Sequence, residues 1–361
     1  MDFLKEELEL RKKKGILRVL PESNPGIDFL SNDYLGFAKI DSPLSGFSGS
    51  TGSRLLSGNS EAIENLESKI ADIHKSENAL LFTSGFTANL GLISCIAKKG
   101  DTLILDELCH ASLIDGARMS FARRLSFKHN DLAELEKKFK AASGRVFVII
   151  ESIYSMDGDK APLQKINNLC EKFNANLIVD EAHAIGVFGE YGQGLCQEQN
   201  IHSGLFARVV TYGKAMGTHG AAILCSNTLK EFLVNFSRPF IYSTAPSPHQ
   251  VESISLAYDR LLKNAESRDK LINLISYWNE KKPLLKYGHW MGSNSPIQSL
   301  IIPDNDVLQV ITATLQKHNF WIKPIKSPTV KEGSERIRFC IHSYNSMKEI
   351  DVLFNTLTQI I

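Results

Sequence analysis

Six short apolar runs succeed one another along the first two thirds of the chain: Ala79 to Phe82, Thr102 to Leu105, Val146 to Ile150, Leu177 to Val179, Val209 to Val210 and Ala221 to Cys225. Helical patterns separate most of them. Leu132, Leu135 and Phe139 recur at helical spacing in one gap, and Pro162 to Phe173 fills another. This alternation is the signature of βαβ units, and it predicts a largely parallel sheet flanked by helices. From about Thr228 the texture changes. Long helical segments run to Leu285, then strand-like runs at Ile297 to Ile302, Phe320 to Lys323 and Arg336 to Cys340, and a last helix from Met347 to Ile361. The fold class expected is therefore α/β, a large domain with a mostly parallel mixed sheet plus a smaller α+β domain. The expected bounds are 1–45 for an N-terminal segment packing with the small domain, 46–235 for the large domain and 236–361 for the small one.

In an open α/β sheet, ligands bind beyond the carboxyl ends of the strands. Leu177-Ile178-Val179 ends in Asp180, with His183 three residues later, and Val209-Val210 leads into Thr211-Tyr212-Gly213-Lys214. A carboxylate, an imidazole, a hydroxyl and an amine are thus expected in one crevice. Taken singly, a strand-end Asp is most often a cap or turn residue and a lone Lys a solvated charge. Together, the four match the needs of pyridoxal phosphate. The amine binds the aldehyde covalently, the carboxylate keeps the pyridine nitrogen protonated so that the ring accepts electrons, the imidazole meets the ring oxygen and the hydroxyl a phosphate oxygen. The string DEAH at Asp180 to His183 also matches the nucleotide-hydrolysis box of helicases. That chemistry needs a G-x-x-x-x-G-K-[ST] loop, and the Gly213-Lys214 pair is followed by Ala215.

With 43% hydrophobic and 22% charged residues and a formal charge of +1, the 361-residue chain has an ordinary globular composition, and its bulk electrostatics point to no nucleic-acid or membrane partner. No apolar run approaches the roughly 20 residues of a membrane span. The opening MDFLKEELELRKKKG is too charged for a secretory signal, and its acidic residues argue against a transit peptide. The six cysteines form no C-x-x-C pair and read as reduced core residues of a cytoplasmic enzyme, with no metal site expected. Phe3 to about Arg18 reads as a charged amphipathic helix, with Lys12 to Lys14 on a solvated face. Ile27 to Leu30 reads as a strand, and Ser31 to Gly36 as a turn. The Ser- and Gly-rich stretch Ser42 to Gly58 is either a flexible linker or a loop that closes over a ligand. After it, Ile63, Leu66, Ile70 and Ile73 recur at helical spacing behind a possible cap, Ser60.

Three further clusters join the crevice. Thr83 to Asn89 stands between a strand and a helix, where Gly85 lets backbone approach closely and the first helix amides suit a phosphate. His110, in DELCHASL, either stacks on a cofactor face or caps the next helix. Glu151 to Asp159, ESIYSMDGD, follows a strand, so its polar groups face the same side.

On these residues the chain resembles the α-oxoamine synthases, which are fold type I pyridoxal phosphate enzymes. The stretches SNDYLG, GSRLLSG, SGFTAN, DELCHASL, SMDGDKAPL, VDEAHAIGVFGEYGQG, TYGKAMGTHGAA, IYSTAPSP and RIRFCIH carry the likeness over nearly the whole length. The resemblance implies that Lys214 links covalently to the cofactor, that Asp180 pairs with the pyridine nitrogen, and that His183 meets the ring oxygen. It implies that His110 stacks on the ring, that Gly85 and Phe86 offer amides and Thr211 a hydroxyl to the phosphate, and that Ser155 lies beside the cofactor. Asn32 and Arg338 are implied to hold an amino-acid carboxylate, and Arg18 and Thr329 to contact substrate. Ser243 and Thr244 are implied to reach the phosphate of a neighbouring subunit in a homodimer with interface active sites. Catalysis then falls to Lys214, His110 and Asp180. The reaction implied is decarboxylative condensation of L-alanine with a pimeloyl thioester, carried by CoA or acyl carrier protein, in biotin synthesis. A member using glycine and acetyl-CoA, and a catalytically silent member acting as a binding partner, are the other readings, though retention of all four central groups argues against the second. Two features depart from the family pattern: a short segment between SNDYLG and GSRLLSG, and Thr218-His219 after Lys214.

Overall fold

The computed structural model describes residues 2–15, 17, 26–40 and 49–360. Thirteen strands occur among them: β1 (Ile27–Asp28), β2 (Asn78–Phe82), β3 (Thr102–Asp106), β4 (Arg123–Phe127), β5 (Val146–Glu151), β6 (Asn176–Asp180), β7 (Ala207–Thr211), β8 (Ala221–Cys225), β9 (His289–Trp290), β10 (Ile297–Ile301), β11 (Phe320–Trp321), β12 (Pro324–Ile325) and β13 (Arg336–Cys340). Seven of these form one sheet in the order β2-β8-β7-β6-β5-β3-β4. β8 runs antiparallel to both neighbours, and the other pairs are parallel.

The apolar runs make strands because helices cover both faces of the sheet, so every side chain along them meets a core. Alternate residues divide between the two sides. Val148 and Ile150 belong to one apolar cluster, and Phe147 and Ile149 to the other. β4 escapes the apolar pattern. Its sequence Arg-Arg-Leu-Ser-Phe is mostly exposed, as befits an edge strand whose charges discourage further pairing. The strand expected at Ile27 to Leu30 is only Ile27–Asp28, and the one at Phe320 to Lys323 only Phe320–Trp321.

A second sheet, β12-β13-β10-β9, is antiparallel throughout. Its core centres on the fully buried Trp278, whose ring lies 5.0 Å from Phe354, 5.3 Å from Phe339 and 5.7 Å from Phe29. The N-terminal part of the chain joins this side. β1 pairs in parallel with β11, the Cys340 amide donates to the Phe29 carbonyl at 2.8 Å, and the Ser343 amide to the Tyr34 carbonyl at 2.7 Å. Asn32 to Tyr34 are thereby held between the two sheets. Gly217, in the turn after Lys214, locks the other side of that contact. Its φ is +63°, and a Cβ there would lie 2.3 Å from the Ala38 nitrogen, so only glycine lets the two segments meet.

Of the Ser/Gly-rich stretch, 41–48 lie outside the described residues. The part from 49 is tied down: Ser50 Oγ donates to the Pro246 carbonyl at 2.5 Å, the Ala245 amide to the Gly52 carbonyl at 2.9 Å, and Arg54 pairs with the buried Glu67 at 2.7 Å. Ser60 caps the helix Glu61–Ile73 by accepting from the Ile63 amide. Among the described residues no helix is long and apolar enough to cross a membrane.

Candidate active site

The carboxyl ends of β2, β5, β6 and β7 open on a cavity of about 250 Å³. Seven residues singled out from the sequence line it: Gly85, Phe86, His110, Asp180, His183, Thr211 and Lys214. Asp180 ends β6 and projects into the cavity. Its Oδ1 accepts from the Ala182 amide at 2.8 Å and its Oδ2 from Asn89 Nδ2 at 2.7 Å, so the carboxylate is held rigidly. Its sequence neighbour points the other way. Glu181 is fully buried, accepts from the Cys196 amide at 2.9 Å and pairs with Arg208 at 3.5 Å. The helicase-like DEAH string is thus divided between a site carboxylate and a structural one.

His183 Nδ1 lies 2.8 Å from the Tyr34 hydroxyl, which donates to Asn32 Oδ1 at 3.2 Å. Arg338 Nη2 donates to the same Asn32 oxygen, and its Nη1 donates to the Ser155 carbonyl at 3.1 Å. Asn32, Arg338 and Ser155 are therefore tied to the site through Tyr34 rather than lining the cavity itself. Burial, reinforced by the charges of Lys214 and Arg338, pushes the His183 imidazole well below its ordinary pKa, so the ring is neutral. Burial also lowers the Lys214 ammonium, against the opposing pull of Asp180 and Glu151. Glu151, at the end of β5, is pushed up to about 8 by burial and by the Asp180 charge. Its Oε1 accepts from the His110 amide at 2.5 Å.

The residues present fit pyridoxal phosphate. Ser84 caps the helix Gly85–Ile96 through a reciprocal pair with Thr87, and the first amides of that helix have no intrahelical acceptor. Beside them the Thr211 hydroxyl is buried with no partner. A Cβ on Gly85 would come within 2.5 Å of Thr211 Cγ2, so glycine keeps this end of the cavity open. A buried hydroxyl left alone is costly unless a ligand meets it, and an anion there supplies the partner. Asp180 and Lys214 bring a carboxylate and an amine to the same cavity, the two groups that the ring nitrogen and aldehyde of such a cofactor would call for.

Phe86 stands edge-on to His110 at 6.5 Å and is 45% exposed, so its ring belongs to the cavity mouth. Ser243 and Thr244 are not on this cavity; they line a separate small pocket with Arg54 and Thr83. Thr329 is exposed in a turn closed by its amide on the Lys326 carbonyl, also away from the cavity. Arg18 lies outside the described residues. Sequence reasoning gave no individual role to Asn89, Ser112, Glu151, Tyr34 or His219, all of which touch the site or its network. The signal for the first three was their place inside motifs that follow strands. The Thr218-His219 departure is a turn element: Thr218 Oγ1 lies 2.5 Å from Ser253 Oγ, the His219 carbonyl accepts from Gln250, and His219 borders the cavity.

Comparison with known proteins agrees with this geometry. The model of the family "Aminotransferase class I and II" matches residues 24–357. The chain is 36% identical to 8-amino-7-oxononanoate synthase of Emericella nidulans, over 99% of this chain and 94% of that protein. It is 36% identical to the enzyme of the same name from Vibrio atlanticus, over 99% and 93%. Among solved structures, 8-amino-7-oxononanoate synthase from Francisella tularensis superposes with a TM-score of 0.81 at 27% identity, covering 93% of this chain and 97% of that one. Sphingomonas wittichii serine palmitoyltransferase, at 24% identity and a TM-score of 0.91 over 99% and 96%, shares the fold. The chain belongs to the class I and II aminotransferase family, with the fold type I architecture of pyridoxal phosphate enzymes.

Proposed function

We propose that this chain condenses L-alanine with a pimeloyl thioester, releasing carbon dioxide and the thiol carrier, to give 8-amino-7-oxononanoate for biotin synthesis. The carrying observation is that Lys214, Asp180, His183 and His110 close on one cavity in a chain similar over 99% of its length to synthases of that name. When bound, pyridoxal phosphate supplies an aldehyde for the amine and a ring that accepts an electron pair.

The protein's own groups do the rest. Arg338, braced by Asn32 and the Ser155 carbonyl, takes the carboxylate of alanine and sets the orientation of the bond to be broken. Lys214 Nζ, favoured as a neutral amine by burial, removes the α proton of alanine. Asp180, fixed by Ala182 and Asn89, holds a negative charge where the ring nitrogen needs one. His110 stands over the site and donates a hydrogen bond to the thioester oxygen as it gains charge. Ser243 and Thr244 serve the phosphate of the neighbouring subunit, so the working unit is a homodimer.

The test is a product assay by mass spectrometry on the cofactor-loaded protein. L-alanine or glycine is offered with pimeloyl-CoA, pimeloyl acyl carrier protein or acetyl-CoA. Alanine with a pimeloyl thioester is expected to give 8-amino-7-oxononanoate fastest. Faster turnover of glycine with acetyl-CoA refutes the assignment.

A further inference from the structure

Along the wall of the cavity, the polar side chains form a hydrogen-bonded line whose direction is determined. Asn89 and Ser112 are 2% and 0% exposed. Asn89 Nδ2 donates to Asp180 Oδ2 at 2.7 Å and to Ser112 Oγ at 3.0 Å. Turning the amide over would set its oxygen against the carboxylate, so the nitrogen faces Asp180. Ser112 Oγ, already accepting from Asn89, lies 2.8 Å from His110 Nδ1. The Ser112 backbone N–H also donates to Nδ1, at 3.2 Å. A backbone N–H has a hydrogen to give and no lone pair to offer. Nδ1 therefore carries the lone pair, the serine hydroxyl hydrogen points to it, and neutral His110 holds its proton on Nε2.

We infer that Ser112 and Asn89 are positioning residues that reinforce the tautomer selected for His110 by the Ser112 backbone N–H, keeping Nδ1 an acceptor turned onto the helix start and leaving Nε2–H as the donor at the opposite ring edge. That is the form needed to donate to a thioester oxygen, and in this respect the inference rests on the function proposed above. The charges around the ring come from several elements: Asp115 on its own helix, Asp180 from β6 and Lys214 after β7, with Glu151 of β5 on the His110 amide. Burial and Lys214 outweigh the two aspartates and hold the ring below its ordinary pKa, so the neutral form is the working one.

A helix cap alone would also place Nδ1 against the Ser112 amide, since His110 is the N-cap of the helix Ala111–Met119. Ser112→Ala separates the two roles, because it keeps the backbone N–H and removes only the hydroxyl. The experiment uses the full chain loaded with pyridoxal phosphate and labelled with ¹⁵N-histidine, the His110 signals being assigned with His110→Gln. In the unsubstituted protein, Nε2 is expected to carry the hydrogen and Nδ1 none. In Ser112→Ala, loss of one donor to the neutral ring is expected to raise the His110 pKa by about 0.5 to 1. Ser112→Thr should restore it, and Ser112→Cys, with its weak donor, should fall between. In turnover, Ser112→Ala should lower kcat while leaving the KM for alanine unchanged. A hydrogen on Nδ1 in the unsubstituted protein overturns the inference, and so does an unshifted His110 pKa in Ser112→Ala or, should that variant not fold, in Ser112→Cys. The ring spectra require no substrate, so failure of the proposed reaction leaves this test readable.

Discussion

His129, just after β4, is clamped between two carboxylates, and the clamp has a pH signature. Its Nδ1 lies 3.0 Å from Asp106 Oδ1 and its Nε2 2.8 Å from Asp159 Oδ2. Both ring nitrogens can donate only in the imidazolium form. Burial opposes that charge, but the hydrogen bonds to Asp106 and Asp159 outweigh it and raise the pKa from 6.5 to about 9. At 1.36 kcal/mol per pKa unit the shift corresponds to about 3 kcal/mol of folding stability. The ring is 20% exposed and solvent screens part of the interaction, so about 3 kcal/mol is an upper bound. Because the folded pKa is raised, the contribution is complete below about 6.5 and is lost as pH climbs through about 9. His129→Gln should therefore be less stable than the parent by up to about 3 kcal/mol at pH 6, with the gap closing towards pH 10. Urea unfolding of the cofactor-loaded protein and the variant across that range measures it. A gap that stays constant, or widens with pH, refutes the reasoning. Asp159 ends the loop whose Ser155 carbonyl braces Arg338 and whose Asp157 pairs with the buried Arg336, so the same variant should also bind alanine more weakly. Single ligand atoms of His129, Asp157 and Asp159 lie within 4.8 Å of one another; Arg336 pairs with Asp157, and His129 bridges Asp106 and Asp159.

Borohydride reduction followed by peptide mapping should place the cofactor label on Lys214, and Lys214→Ala should abolish turnover with the fold intact; a label on Lys160 refutes the role. Asp180→Asn keeps the shape but removes the charge facing the ring nitrogen, so turnover should fall by ~100-fold or more; activity within a few-fold of the parent excludes it. Arg338→Lys keeps the charge and loses the fork, so alanine should bind roughly tenfold more weakly in an absorbance titration, with the affinity for the acyl thioester unchanged. Arg336→Lys keeps a positive charge against Asp157, so the loop should stay in place, with a small fall in the thermal midpoint and alanine binding unchanged; the reverse pattern overturns the assignment. Gly85→Ala forces a Cβ to within 2.5 Å of Thr211 Cγ2 and should weaken cofactor binding by about fivefold or more in equilibrium dialysis, at about 1–3 kcal/mol for overpacking; unchanged affinity means the phosphate is held elsewhere.

The strands were legible where burial on both faces left an unbroken apolar run, as in Val146–Glu151, and illegible where an edge allowed charge, as in Arg123–Phe127. The groups that touch the cavity were legible because they end strands, and strand ends in such sheets converge. Their supports were not. Asn89 and Ser112 sit within the first turns of helices, where polar residues are common, and only the packing of those helices makes one amide join Asp180 to the histidine line. Nor does strand periodicity separate Arg336 from Arg338, since both share a face of β13. Their partners separate them: Asp157 takes the first, and Asn32, 306 positions away in sequence, takes the second.

That last contact bears on how the site is assembled. Tyr34 and Asn32 come from the segment carried by β1 on the small-sheet side, Arg338 from β13, and His183 from the turn after β6 of the seven-stranded sheet. The line from His183 through Tyr34 and Asn32 to Arg338 is therefore a hydrogen-bonded seam between the two halves of the molecule. Tyr34 is fully buried, and burial holds its phenol well above the ordinary pKa, so the hydroxyl keeps its hydrogen across the range in which His129 titrates. Its hydrogen bonds to Asn32 and His183 then vary little with pH, unlike the His129 clamp behind the loop. Two supports of different pH response thus act on Arg338: a neutral one through Tyr34 and Asn32, and an ionic one through Asp159 and Ser155. Raising pH should loosen the second and leave the first. Arg338 should then be misplaced but still tethered, so that alkaline pH weakens amino-acid binding before it weakens the hold of Asp180 and Lys214 on the cofactor.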